Sequence, residues 1–269
     1  MKFLNSYSQL LKNDNFLKKI KNNLKSFFIN QRSKKNIKLP KQSIIFPFYH
    51  HVFDDEVEGF KIQLKYMQNY GEFISYEDSI NLLNNNFKDK NIYFCLSFDD
   101  GFKNIFNNVT DIALSLKIPI NFFIPTSFID NKREDAGKVF FNTSKLNVEF
   151  LSWNDCKTIS SEKIFTISSH SVNHKLISQL SYEESLKEMR NSKYEIENNL
   201  KINCNHFAPP VGDFLFPRDT DIVKKTGYKS LSTTLRGQMS NLEKNVYNIK
   251  RHHLLANWDI NYLKYFFFN

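Results

Sequence analysis

Cysteine is scarce in this 269-residue chain: there are three, Cys95, Cys156 and Cys204, and none sits in a C-x-x-C pair. An odd number of thiols in widely separated contexts argues against a disulfide scaffold and suits a reducing compartment. No apolar run approaches the roughly 20 residues that span a bilayer. The opening stretch, MKFLNSYSQLLKNDNFLKKI, has neither an uninterrupted apolar stretch nor a small-residue cleavage site. It does not read as a secretory signal, so a cytoplasmic protein is expected. A basic surplus is missing from most of the chain as well. Residues 1–40 hold ten Lys and Arg against Asp14 alone, which accounts for the whole net charge of +9, and residues 41–269 are neutral. The body therefore has no excess of cations with which to track phosphates, and no nucleic-acid partner is expected.

What is present is an ordinary globular composition, 41% hydrophobic, at a length that suits one large α/β domain. In the first 30 residues Leu4, Tyr7, Leu11, Leu17, Ile20, Leu24 and Phe27 recur at spacings that mark one helical face, with lysines over much of the remainder. Such a basic amphipathic segment either packs on the domain or lies on an anionic membrane surface, giving peripheral contact at the inner face. The sequence thus divides into an extension and connector, residues 1–40, and a main domain, residues 41–269.

From Ser43 onward, strand-like runs (SIIFPFY, NIYFCLSF, IPINFFIP, IFTIS, NHFAP, KSLSTT, VYNIK) alternate with helical patterns at residues 60–70, 76–86, 104–116, 181–200 and 219–226. Repeated βα alternation implies a parallel sheet, open or closed into a barrel, and the seven runs suggest a barrel that is one strand short. In such a barrel the loops that follow the strands gather at one end, where active sites form. His50 and His51 follow the first run, Asp99 and Asp100 the second, and His170 and His174 the fourth. The turn APPVGD follows the fifth, and Arg251, His252 and His253 the last.

In SFDDG, strand alternation sends Asp99 and Asp100 to different sides, so the two need not share a role. His170 and His174 are four apart, and with His174 on a first helical turn both imidazoles would face one point. Ser171 stands where a zinc protease carries its glutamate base. Two histidines and an aspartate from another strand end make a three-ligand metal site with room for a water.

The succession SFDDG, ISSHSVNHKLISQLS, FAPPVG and TGYKSLSTT resembles the polysaccharide deacetylases, carbohydrate esterases that share a homology domain with the nodulation chitooligosaccharide deacetylase. YHHV, IPINFFIPTSFI and LSWNDCKTIS agree with it, and the likeness runs over about residues 43–255. It implies a distorted (β/α)7 barrel and removal of an acyl group, normally acetyl, from the nitrogen of an amino sugar, with a divalent metal, Zn2+ foremost, held by Asp100, His170 and His174. Asp99 then looks like the general base, and the backbone N–H of Val211 like the oxyanion donor. Many relatives carry an Arg where this chain has Ala208 and an aromatic where it has Val211. Arg251 is the substitute the sequence offers for orienting the base.

The late general acid falls on His252 or His253, of which alternation points one inward, with His253 preferred. His50 either contacts sugar, assists proton transfer or is satisfied by backbone groups. Pro210, Val211 and Trp153 are the other substrate-side residues, and Tyr49 and Phe98 offer rings that could equally be core. The expected substrate is an amino-sugar-containing glycan, nucleotide-linked or lipid-linked. A catalytically inactive carbohydrate-binding protein of the same fold is the alternative, and a mononuclear iron oxygenase with the same ligand types is a third reading.

Overall fold

The computed structural model describes residues 3–11, 26, 28–33, 42–85, 91–142 and 146–268. The strands form two sheets. The larger has seven parallel strands in the order β11 (His252–His253), β2 (Pro47–Tyr49), β5 (Leu96–Phe98), β6 (Ile120–Ile124), β7 (Phe165–Ser169), β8 (His206–Phe207) and β9 (Ser230–Leu231). β2, β5 and β6 are buried at every position, as strands covered by helices must be, so their sequences read as continuous apolar runs rather than alternating ones. The sheet curls on itself. Ile249 exchanges hydrogen bonds with the far edge, its N–H donating to Leu231 O at 3.0 Å and its own O accepting from Thr233 N–H at 2.8 Å. Beyond it, His252 N–H donates to Phe46 O at 2.8 Å. One segment thus joins both edges of a distorted seven-stranded barrel.

The second sheet, in the order β10 (Met239–Ser240), β1 (Ser43–Ile45), β4 (Ile92–Phe94) and β3 (Glu72–Phe73), caps the end where the barrel strands begin. It divides two of the expected strands: SIIFPFY breaks at Phe46 and NIYFCLSF at Cys95, each run serving one sheet and then the other. The last expected strand, VYNIK, also moves. Of that run, Ile249 makes an isolated pairing with Ser232 and Val246 O accepts from Leu231 N–H at 3.0 Å, while the ladder to β2 is made by His252–His253. The helix expected over 104–116 is two, Lys103–Asn108 and Thr110–Leu116, broken at Val109 with φ −121° and ψ −42°. The other helices form at Val57–Gln68, Tyr76–Asn85, Tyr182–Leu200 and Arg218–Lys225. Ser181 caps Tyr182–Leu200 by accepting from Glu184 N–H, and Ser152 caps Trp153–Ser161 by accepting from Asp155 N–H; each acid returns the bond.

Tyr49, Phe98 and Phe122 stack in series through the main core, with centroid separations of 5.5 and 6.0 Å. Tyr49 and Phe98 are wholly buried, and the Tyr49 hydroxyl donates to Gln63 Oε1 at 2.6 Å, so neither ring is offered to a sugar.

Of the amphipathic front segment, Tyr7–Leu11 is helical and residues 28–32 are helical. Leu17, Ile20, Leu24, Phe27 and the connector at 34–41 lie outside the described residues. The described parts dock on the domain. Leu4 is buried, Leu4 N–H donates to Asn147 O at 2.9 Å, and Asp55 accepts from Tyr7 N–H and Ser8 N–H. Ile29 joins the main core. Among the described residues, no helix is long and apolar enough to cross a membrane.

Candidate metal centre and active site

Because the strands of the large sheet are parallel, their C-terminal ends share one rim, and the chemistry-bearing residues collect there. Asp99 and Asp100 leave β5, His170 leaves β7, His50 leaves β2, Ala208 leaves β8, and His253 ends β11. The turn after β5 needs Gly101: it lies at φ +66°, and a Cβ there would come within 3.2 Å of Ile124 Cγ2.

Asp100 Oδ1 lies 3.4 Å from His170 Nε2 and 3.2 Å from His174 Nε2, and the three ligand atoms sit within 4.8 Å of one another. All three residues are buried or nearly so. His170 Nδ1–H donates to Ala208 O at 2.7 Å, which fixes the tautomer and leaves the Nε2 lone pair facing Asp100. Asp100 Oδ1 is buried and has no hydrogen-bond partner. A carboxylate oxygen sealed from water opposite two imidazole lone pairs is the arrangement a divalent cation satisfies, so these residues fit a metal. Burial alone would raise the Asp100 carboxyl; the imidazoles of His50, His170 and His174 bring it well below the usual carboxylate range.

His170 and His174 do not meet by way of a helical turn. They are held by a loop in which Ser171 (φ 67°) and His174 (φ 53°) take the left-handed conformation, and Ser171 Oγ accepts from His174 N–H at 3.2 Å. Glu188, on the helix Tyr182–Leu200, secures this loop. It accepts from Val172 N–H at 3.0 Å and from Asn173 N–H at 2.8 Å through one oxygen, and from Asn173 Nδ2 at 2.6 Å through the other. Sequence reasoning missed Glu188; its place well beyond His174 in a cleanly amphipathic helix carries no motif.

Asp99 takes the other side of the turn. Arg251 Nη1 donates to Asp99 Oδ1 and Nη2 to Oδ2, each at 2.8 Å, a fork on a carboxylate with both groups buried. Arg251 Nε donates to Thr233 O at 3.0 Å, and its guanidinium lies 4.1 Å from the Phe48 ring centroid. Burial disfavours the Arg251 charge, but the Asp99 carboxylate outweighs it and raises the group.

His253 points into the same mouth. Its Nε2 lies 3.0 Å from His50 Nδ1, and Phe48 packs against both rings. Burial lowers both imidazoles. Asp100 and Asp99 oppose the effect at His50, whereas His50 and Arg236 add to it at His253. His252 faces the other way, against Phe267, so alternation selects one histidine. His51 turns from the mouth to Glu56 Oε2 at 2.8 Å.

Pro210 is buried at the turn after β8, while Val211 is 68% exposed at φ 61°. Asp213 ties this turn to the histidine loop by accepting from the N–H and hydroxyl of Ser178. Trp153 begins its helix with its N–H donating to Asp130 Oδ1 and its side chain packed on the main core.

The sequence model of a protein family described as polysaccharide deacetylase matches residues 84–231, a span that holds both aspartates and both loop histidines and ends ahead of Arg251 and His253. No curated protein sequence matches the chain. Among solved structures, the chain is similar to the deacetylase PplD of Streptococcus pyogenes, solved in complex with acetate: 21% identity, TM-score 0.67, with 85% of this chain and 99% of that one covered. IcaB from Ammonifex degensii superposes at TM-score 0.66 with 16% identity over 81% of this chain and 94% of that one. A de-N-acetylase from Aggregatibacter actinomycetemcomitans does so at 0.66 with 15% identity over 83% and 99%. At these identities the likeness is one of fold.

Proposed function

The chain belongs to the polysaccharide deacetylase family, and from that premise we propose that it hydrolyses the N-acyl group, acetyl foremost, of an amino sugar, with a divalent metal, Zn2+ foremost, held by Asp100, His170 and His174. The observation that carries the reading is the buried, unpartnered Asp100 Oδ1 facing two imidazole nitrogens, with Asp99 gripped beside it. When bound, the metal supplies Lewis acidity toward the attacking water and the amide oxygen.

The protein's own groups divide the remaining work. Asp99 takes the proton of the attacking water, and the Arg251 fork fixes the plane of that carboxylate so that its free lone pairs keep one direction. This is the orienting role that Ala208 cannot fill. The backbone N–H of Val211 is the donor for the developing oxyanion. His253, oriented by His50, delivers a proton to the leaving amine.

The substrate in this reading is a nucleotide-linked or lipid-linked amino sugar used in surface-glycan assembly, met in the cytoplasm or at the inner membrane face. The ten basic residues of segment 1–40 support an anionic partner. Ala208 and Val211 favour one second reading, an inactive carbohydrate-binding protein. Acetate release from a panel of N-acetylated amino sugars by the Zn2+-loaded chain, abolished in Asp99→Asn, tests the enzyme. Sugar binding without acetate release would replace it with the second reading.

A further inference from the structure

A cavity of about 470 Å3 opens between residues 28–33 and the C-terminal helix Ile260–Phe268, lined by Phe28, Ile29, Arg32, Arg236, Tyr265 and Phe266. None of these residues takes part in the proposed chemistry. The front segment is anchored here by Ser26 Oγ, 2.6 Å from the Tyr262 hydroxyl. Arg236 lies over the Phe266 ring, its guanidinium carbon 3.7 Å from the centroid, and its Nη2 donates to His253 O at 3.0 Å. The cavity therefore adjoins the strand that carries the proton-donating histidine. Arg236 is exposed at the cavity's edge, where partial desolvation lowers its guanidinium below its ordinary value. Arg32 and Phe28 are exposed on the opposite wall.

Two guanidinium groups beside aromatic rings select a particular ligand chemistry. The planar fork of an arginine matches phosphate oxygens two at a time, which an ammonium cannot do. Aromatic faces stack on planar heterocycles. The volume lies in the range of small-molecule sites, and a long prenyl chain would overfill it. We propose that this cavity binds the nucleoside diphosphate portion of a nucleotide-linked amino sugar, with the phosphates between Arg32 and Arg236 and the base against Phe28 and Tyr265. The sugar then projects past Arg236 toward His253. The proposal rests on the deacetylase reading for the identity of the sugar alone. It also explains what the front segment contributes, since residues 28–32 complete the wall that the C-terminal helix leaves open.

Calorimetric titration of the full chain with UDP, ADP, inorganic diphosphate and farnesyl diphosphate tests it. At least one nucleoside diphosphate is expected to bind more tightly than either other probe, with affinity falling at least tenfold in Arg32→Gln, an exposed position where misfolding is not a concern. Absence of nucleoside diphosphate binding at millimolar concentration overturns the proposal. So does undiminished binding in Arg32→Gln, or tighter binding of inorganic or farnesyl diphosphate. Acetate release from an unlinked N-acetylated sugar by the unaltered chain reports separately on the deacetylase reading, and its failure beside intact nucleotide binding would leave this cavity's assignment standing.

Discussion

Arg251 and Asp99, 152 positions apart in the chain, meet in a two-pronged ion pair with both contacts at 2.8 Å and neither residue more than 2% exposed. Removing one partner strands the other charge in the interior, which costs about 3–5 kcal/mol. Arg251→Gln should therefore lower stability by about that amount and acetate release by about a hundredfold. Arg251→Lys should recover more stability than turnover, since an ammonium keeps the charge and loses the fork. Urea midpoints and initial rates read the two effects, and unchanged turnover in Arg251→Gln would remove the orienting role.

Asp100, His170 and His174 should bind Zn2+ with a stoichiometry of one. At a hundredfold excess over the dissociation constant, the metal should stabilise the chain by about 2.7 kcal/mol. Dialysis against a chelator should reverse the gain, and His170→Asn should abolish it. A thermal shift of equal size in that variant would place the metal elsewhere.

Glu188 spends both carboxylate oxygens on the loop that carries the histidines. Glu188→Gln keeps the shape but turns one acceptor into a donor that faces a donor. Metal affinity should weaken about 10- to 100-fold, as for other groups that orient a ligand at one remove. The circular dichroism spectrum should stay the same. Competition with a chromophoric chelator gives the affinity, and wild-type affinity would show that the loop holds its form alone.

His252 separates the two neighbouring histidines by experiment. Burial first, and Arg236 second, lower its imidazole to about 3, against an ordinary unfolded value of about 6.5. The unfolded chain then binds the extra proton first. Stability owed to the neutral ring is complete above pH 6.5 and is lost as pH falls toward 3, by about 2 kcal/mol at pH 5. His252→Phe should flatten that slope, with the change at pH 7 limited to loss of the ring's hydrogen bond with the Gly237 backbone, since the buried Nδ1 has no partner. A slope as steep as wild type would refute the assignment.

The reach of sequence reasoning followed the range of the interactions. Asp99, Asp100, His170 and His174 were legible because their spacing and their place after strand-like runs are local facts, and parallel strands carry such residues to one rim. Arg251 and His253 followed by the same rule. The division of SIIFPFY and NIYFCLSF between two sheets was hidden because both halves are buried on both faces, so no change of period marks Phe46 or Cys95. The helical placing of His174 failed because backbone hydrogen bonds to Glu188 and Ser171 hold a left-handed residue that local preference disfavours. The cavity beside the C-terminal helix was illegible for the same reason: Arg32 and Arg236, far apart in the chain, line it only through tertiary packing.

A peptide carbonyl cannot be deleted by substitution. His170 takes its proton position from the main chain at Ala208 and not from a side chain there, so the side chain at 208 was free to drift without turning the imidazole. The grip on Asp99 comes instead from Arg251 on a distant strand, so the side chain at position 208 touches neither the proton position of His170 nor the plane of the Asp99 carboxylate.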